Sequence, residues 1–188
     1  MYYCPKCGAK TFIAERVFTE SKHHSRDIEP IKDFELIPVL DNIRSAYNVG
    51  SIIRTCEGLG IGQIVLCGIT PTPLSGKVKK TALGASSSIK WEHQNNCVKY
   101  IIKMKSRGYS LLALENMCDS INILNFRKSQ VQGKIILVIG NEKSGVDPAI
   151  LRISDFTVSI PMAGKKESLN VSVAAGIAVF HLFNLFKT

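Results

Sequence analysis

Two rhythms of apolar residues alternate along most of the chain. Glu35–Leu40, Gln63–Cys67, Ser110–Leu114, Lys134–Ile139 and Phe156–Ile160 are short runs rich in Val, Ile and Leu. They lack polar alternation, the pattern of strands covered on both faces. Val49–Leu59, Cys97–Ser106, Asp147–Ile153 and Leu169–Phe186 instead carry apolar residues at helical spacing. Strands alternating with helices predict an α/β fold with a mostly parallel sheet flanked by helices. Residues 1–35 do not share this rhythm, and their polar stretch Ser21–Asp27 reads as a linker. The expected organisation is therefore a short appendage over 1–35 and one domain over 36–188.

The last predicted helix is apolar nearly all round, with Ala174, Ala175, Gly176 and Ala178 close together. Such a helix must be covered on more than one side. One cover is the sheet, and the expected second is another copy of the chain. Val171–Phe186 is interrupted by Ser172, Gly176, His181 and Asn184, so it does not read as a membrane span. Gly58-Leu59-Gly60-Ile61-Gly62 follows a helix and precedes a strand. A dinucleotide fingerprint needs the reverse order and a different spacing. These glycines read instead as a helix C-cap and a tight turn.

Charge adds a partner class. The chain carries a formal net charge of +9. Residues 1–35 balance six basic against six acidic side chains, so the whole excess lies beyond them. That surplus favours a polyanion such as nucleic acid, although anionic metabolites and membranes attract basic surfaces too. Six cysteines in 188 residues do not make a disulfide scaffold. Cys56, Cys67 and Cys118 lie in or beside apolar runs and read as buried thiols in a reducing cytoplasm. The start of the chain has no secretory h-region. Cys4-x-x-Cys7 is half of a zinc-ribbon ligand set. A structural zinc needs four ligands, and the adjacent His23 and His24 are poorly spaced to complete it. Cys4 and Cys7 are candidate ligands without a complete set.

Three segments carry candidate chemistry. In the first, Asn48 is placed to cap a helix, and Arg54 lies on a mostly apolar stretch where a charge needs a partner or a ligand. In the second, a buried strand runs into Gly140-Asn141-Glu142. Ligands of α/β sheets bind beyond strand carboxyl ends, and Gly140 permits close backbone approach. In the third, Ile160-Pro161-Met162 ends a strand, a Gly-Lys-Lys loop follows, and Ser168 is placed to cap the last helix. Free N–H groups at that helix start suit an anion. Each segment taken alone reads equally as a salt bridge, a turn or an ordinary cap.

In this order the three segments resemble the motifs of the SpoU (TrmH-like) branch of the SPOUT methyltransferases. The matching pieces are N-x-G-x-x-x-R over Asn48–Arg54, I-G-N-E over Ile139–Glu142, and I-P-M-x-G…S-L-N-V-S-x-A over Ile160–Ala174. The resemblance spans about residues 36–186. It implies a deep C-terminal trefoil knot and a homodimer joined through the last helix. It also implies methyl transfer from S-adenosylmethionine to a ribose 2′-hydroxyl of tRNA or rRNA. By the same resemblance Gly140, Ile160, Met162 and Leu169 would hold the donor. Asn48, Arg54, Glu142, Ser168 and Asn170 would form the catalytic and ribose site. The family assigns activation of the hydroxyl to the arginine. A guanidinium stays protonated, so phosphate binding with electrostatic stabilisation is the competing role for Arg54. A non-catalytic RNA-binding module and a base-nitrogen methyltransferase are the alternative functions.

Overall fold

The computed structural model describes residues 2–11, 31 and 33–187. Seven parallel strands form one sheet: β3 (Glu35–Asp41), β4 (Gln63–Cys67), β5 (Lys90–Gln94), β6 (Ser110–Leu114), β7 (Ile121–Asn122), β8 (Lys134–Ile139) and β9 (Phe156–Ser159). Their spatial order is β5-β4-β3-β8-β6-β9-β7. The two short strands that precede them, β1 (Tyr2–Tyr3) and β2 (Lys10–Thr11), form a separate two-stranded sheet among the described residues. The linker expected at Ser21–Asp27 lies outside the described residues.

The central strands are buried on both faces, as their unbroken apolar runs require. One face packs on α1 (Ala46–Gly58), α2 (Gly76–Ala82) and α5 (Val171–Lys187) through Leu40, Ile64, Leu66, Leu137 and Ile139. The other packs on α3 (Cys97–Lys105) and α4 (Pro148–Leu151) through Val39, Val65, Leu111 and Val138. Strand β8 enters between β3 and β6, in register with both, so its carboxyl end lies in the middle of the sheet. The Gly140–Glu142 turn is therefore placed centrally.

Several details differ from expectation. Cys56 and Cys67 are buried, but Cys118 is exposed, because it falls in the polar loop after β6. Helix α1 begins at Ala46, and its N-cap is Ser45, whose Oγ accepts from the Asn48 N–H at 3.3 Å. Asn48 lies inside the first turn, which frees its side chain for other partners. Helix α5 begins at Val171, and Asn170 rather than Ser168 accepts from the Ser172 N–H, at 2.9 Å. After α1 the chain turns through Leu59 and the left-handed Gly60 into β4, the cap and turn expected of that glycine-rich stretch.

Candidate active site

The loops that leave β6, β8 and β9 converge at the carboxyl end of the sheet around a cleft of about 340 Å³. Gly140, Glu142, Ile160, Met162, Ser168, Leu169 and Asn170 all line it. Seven of the nine expected site residues thus share one concavity. Asn48 adjoins it through hydrogen bonds. Arg54 does not line it.

Glu142 is the fixed point of this region. Its Oε2 accepts from the Arg44 N–H at 2.9 Å, and its Oε1 accepts from the Ser45 N–H at 3.0 Å and the Asn48 Nδ2 at 3.0 Å. The carboxylate caps the amino end of α1, where free N–H groups and the helix dipole favour negative charge. Partial burial pushes its carboxyl up, but hydrogen bonds from the Arg44, Glu142 and Ser45 N–H groups and Asn48 outweigh that and hold it below the ordinary glutamate value. The side chain that read as an exposed glutamate in a turn is thus a clamp between the second segment and the first.

Asn48 passes the connection on. Its Oδ1 accepts from the Asn170 Nδ2 at 3.3 Å, while Asn170 Oδ1 accepts from the Ser172 N–H and from Ser172 Oγ at 2.7 Å. Glu142, Asn48 and Asn170 therefore form one polar relay. It joins positions 94 and 122 residues apart in the chain.

The turn after β8 is held by residues absent from the expected set. Asn141 and Gly145 exchange both backbone hydrogen bonds at 2.9 Å. The Asn141 Nδ2 donates to the Asn42 carbonyl at 2.6 Å, and its Oδ1 accepts from the Lys143 N–H at 2.9 Å. Glu115, just past the end of β6, accepts from the Val146 N–H at 2.8 Å. Glu115 follows a buried strand as Glu142 does, and that position was the available signal. Asn116 Nδ2 donates to the Glu167 carbonyl at 3.1 Å and ties the third loop in.

Two motif glycines have internal reasons. A Cβ on Gly140 would overlap the backbone of Gly145 and Val146, so the close approach it permits is to the chain's own turn. A Cβ on Gly50 would stand 2.7 Å from Thr81 Cβ and 2.8 Å from the Val78 carbonyl, so Gly50 sets the contact of α1 with α2. Arg54 lies on the outer face of α1, in line with the exposed Tyr47 at seven-residue spacing, and is itself exposed. It makes no ion pair among the described residues, where the one ion pair is Lys105–Asp155.

A cleft of mixed polar and apolar lining beyond the carboxyl edge of a parallel α/β sheet stands where such folds bind small molecules. The chain matches the SpoU rRNA Methylase family over residues 35–180 and belongs to that family. It is 33% identical over 159 residues to the tRNA (guanosine(18)-2'-O)-methyltransferase of Aquifex aeolicus, covering 82% of this chain and 72% of that protein. It is 32% identical over 146 residues to the 23S rRNA (guanosine(2553)-2'-O)-methyltransferase RlmP of Bacillus subtilis, covering 77% of this chain but 56% of that protein. Among solved structures it resembles the SpoU methyltransferase AviRb of Streptomyces viridochromogenes in complex with the cofactor AdoMet. The TM-score is 0.73 at 26% identity, with 82% of this chain and 62% of AviRb covered.

Proposed function

We propose that this SpoU-family chain transfers a methyl group from S-adenosylmethionine to a ribose 2′-hydroxyl of tRNA or rRNA. The observation that carries the reading is the Glu142–Asn48–Asn170 relay at the rim of the cleft. Relatives named as guanosine 2'-O-methyltransferases of tRNA and of rRNA support the reaction. The cleft fits the donor. Its 340 Å³ is of the size of small-molecule sites, and it sets Leu114, Ile139 and Ile160 beside Asn116, Ser168 and Asn170. An adenine ring needs the first kind of surface, and an amino-acid tail needs the second.

S-adenosylmethionine supplies the electrophilic methyl carbon. Gly140, Ile160, Met162 and Leu169 would hold it. Ser168, Asn170 and Asn48 would orient the ribose so that its 2′-oxygen, passing its proton to water, bonds to that carbon as the carbon–sulfur bond breaks and S-adenosylhomocysteine leaves. Glu142 is a positioning residue. Both its oxygens are engaged and its carboxyl is held low, which makes it a poor proton acceptor. Arg54, outside the cleft and facing solvent, binds a phosphate of the RNA beside the reacting nucleotide. That role suits a permanently charged, forked donor.

Two further features belong to the same reading. Membership of the SpoU family supports a C-terminal trefoil knot. Helix α5 leaves Val173, Ile177 and Phe180 exposed at 50%, 39% and 56% along one stripe, which supports a homodimer seated there. Ala178, in contrast, is fully buried within one chain. Phe180→Glu is therefore the clean probe of the interface, and light scattering should show it as a monomer near 20.7 kDa. An unchanged dimer would move the interface elsewhere. No helix of the described residues is long and apolar enough to cross a membrane, and the cytoplasm is the proposed location, where the RNA is.

The direct test incubates the protein with labelled donor and with transcribed tRNA and rRNA, followed by nucleoside analysis. A 2′-O-methylnucleoside is the expected product. A base-methylated nucleoside, or donor binding without transfer, would replace the proposal with one of its two alternatives.

A further inference from the structure

The exposed side of α1 is continuous with α2. Tyr47, Gly50 and Arg54 follow three- and four-residue spacing, so they lie on one side of α1. Gly50 marks where that side meets α2, because a Cβ there would stand 2.7 Å from Thr81 Cβ, 2.8 Å from the Val78 carbonyl and 3.1 Å from the Ala82 nitrogen. On α2 the buried residues are Val78 and Ala82. Lys77 lies one turn before Thr81, on the edge toward α1, and Lys80 lies opposite the buried pair. Both lysines are exposed. Tyr47 is 61% exposed and directly precedes Asn48, at the rim of the donor cleft. Tyr47, Arg54, Lys77 and Lys80 therefore form one surface that starts at the rim and follows the seam of the two helices.

Charge on this surface is one-sided. From Gly58 to Trp91 the chain has four lysines and no Asp or Glu, so nothing in that stretch neutralises Lys77 or Lys80. Glu57 is the only acid of either helix. It, Arg54, Lys77 and Lys80 form no ion pair among the described residues. Single-stranded nucleic acid asks for this combination: cations along a track for phosphates, and an exposed ring for an unstacked base. The ring stands at the rim of the donor cleft, where a nucleotide next to the reacting one must pass.

We propose that this α1–α2 surface binds the single-stranded RNA that flanks the methylated nucleotide. Tyr47 stacks on a neighbouring base, and Lys77 and Lys80 hold phosphates beyond the one assigned to Arg54. The assignment rests on the RNA reading proposed above, but it is tested by binding alone, without methyl transfer.

The test uses the full chain and a fluorescein-labelled oligouridylate of about 12 nucleotides, within the span of single-strand sites. Fluorescence anisotropy is measured across a series of salt concentrations. A Lys77→Ala, Lys80→Ala double variant should bind roughly tenfold more weakly, and its log–log salt slope should shrink by about 1.4, the share of two single-strand phosphate contacts. Tyr47→Ala should bind at least about fivefold more weakly with the slope unchanged, the mark of a lost stacked base. Tyr47→Phe should bind as wild type does, because the ring is kept. A Lys99→Ala, Lys103→Ala double variant removes the same charge from exposed positions of α3, on the other face of the sheet, and should keep both affinity and slope. Unchanged calorimetric binding of S-adenosylmethionine in every variant shows that the fold is intact. Wild-type affinity in the Lys77/Lys80 or Tyr47→Ala variant, or an equal loss in the α3 variant, would overturn the proposal. So would a Lys77/Lys80 variant that loses binding to phosphatidylglycerol vesicles while keeping RNA. Wild-type protein that binds the oligonucleotide through these residues but transfers no methyl group would overturn the reaction proposed above and leave this surface standing.

Discussion

The two ends of the sheet each carry a cleft, and they differ in kind. At the carboxyl end, about 340 Å³ is bordered by Glu142, Asn48, Asn170, Asn141 and Glu115, each committed to hydrogen bonds across loops. At the amino end, about 400 Å³ is lined by Ile31, Phe34, Leu36, Ile61 and Phe183, with Glu35, Gln63 and Lys90 at its edge. Among the described residues the second space, of similar size, has no comparable polar relay. Volume therefore does not identify the site here. Loops fastened to one another by buried-edge polar groups do, because only fixed groups can be organised before a reaction begins.

The sharpest contrast is between glycines. Gly140→Val should abolish donor binding, because the side chain collides with Gly145 and Val146 and forces open the turn that bounds the cleft. Calorimetry with S-adenosylmethionine measures this, and thermal unfolding should fall with it. Gly62, at the amino-end cleft, has nothing within 4 Å of an added Cβ. Gly62→Ala should change stability by less than about 0.5 kcal/mol and leave donor binding intact. Equal effects of the two substitutions would erase the distinction between the two ends.

Arg54 comes next in size. It lies outside the donor cleft, so Arg54→Ala should leave donor affinity nearly unchanged. Methyl transfer at sub-saturating RNA should fall roughly tenfold, the scale of losing one hydrogen bond to a charged phosphate. Arg54→Lys should recover little, because an ammonium lacks the forked geometry. Wild-type turnover in Arg54→Ala would make this a solvated surface arginine.

Glu142→Gln is a break of similar size. It keeps the shape but replaces one acceptor oxygen with a donor facing N–H groups, and kcat/KM should drop about tenfold, the scale of one hydrogen bond to a charged group. The pH dependence has a definite sign. The folded carboxyl is held below the ordinary value of 4.5, so its contribution is complete above that value and is lost as pH falls through the lower, folded-state titration. Hydrogen exchange at residues 44–48 should accelerate on that acid limb in the wild type, and Glu142→Gln should show no such limb.

How far the sequence revealed this arrangement depends on distance along the chain. β4, β6 and β8 match their apolar runs to the residue, because burial on both faces leaves a local signature. β5 was not foreseen. Lys90–Gln94 is a partly exposed edge strand, and its residues carry no apolar run. α2 was missed too, since Gly76–Ala82 buries only Val78 and Ala82. The seven cleft-lining residues were legible from the three motifs. Their connections were not. Ser45 and Asn48 are both good capping residues, and only the position of Glu142 decides which caps and which reaches across. Glu115 and Asn141 act through turns whose shape no local pattern encodes.

The claim that three remote segments form one working site is tested most directly by a double-mutant cycle. Asn48→Ala, Asn170→Ala and the double variant are compared by kcat/KM for methyl transfer to a validated RNA. The relay predicts strong coupling: the double variant should lose little more than the worse single variant, with an interaction of about 1 kcal/mol. A double variant whose loss equals the product of the two single losses would mean that Asn48 and Asn170 act independently, and would contradict the account.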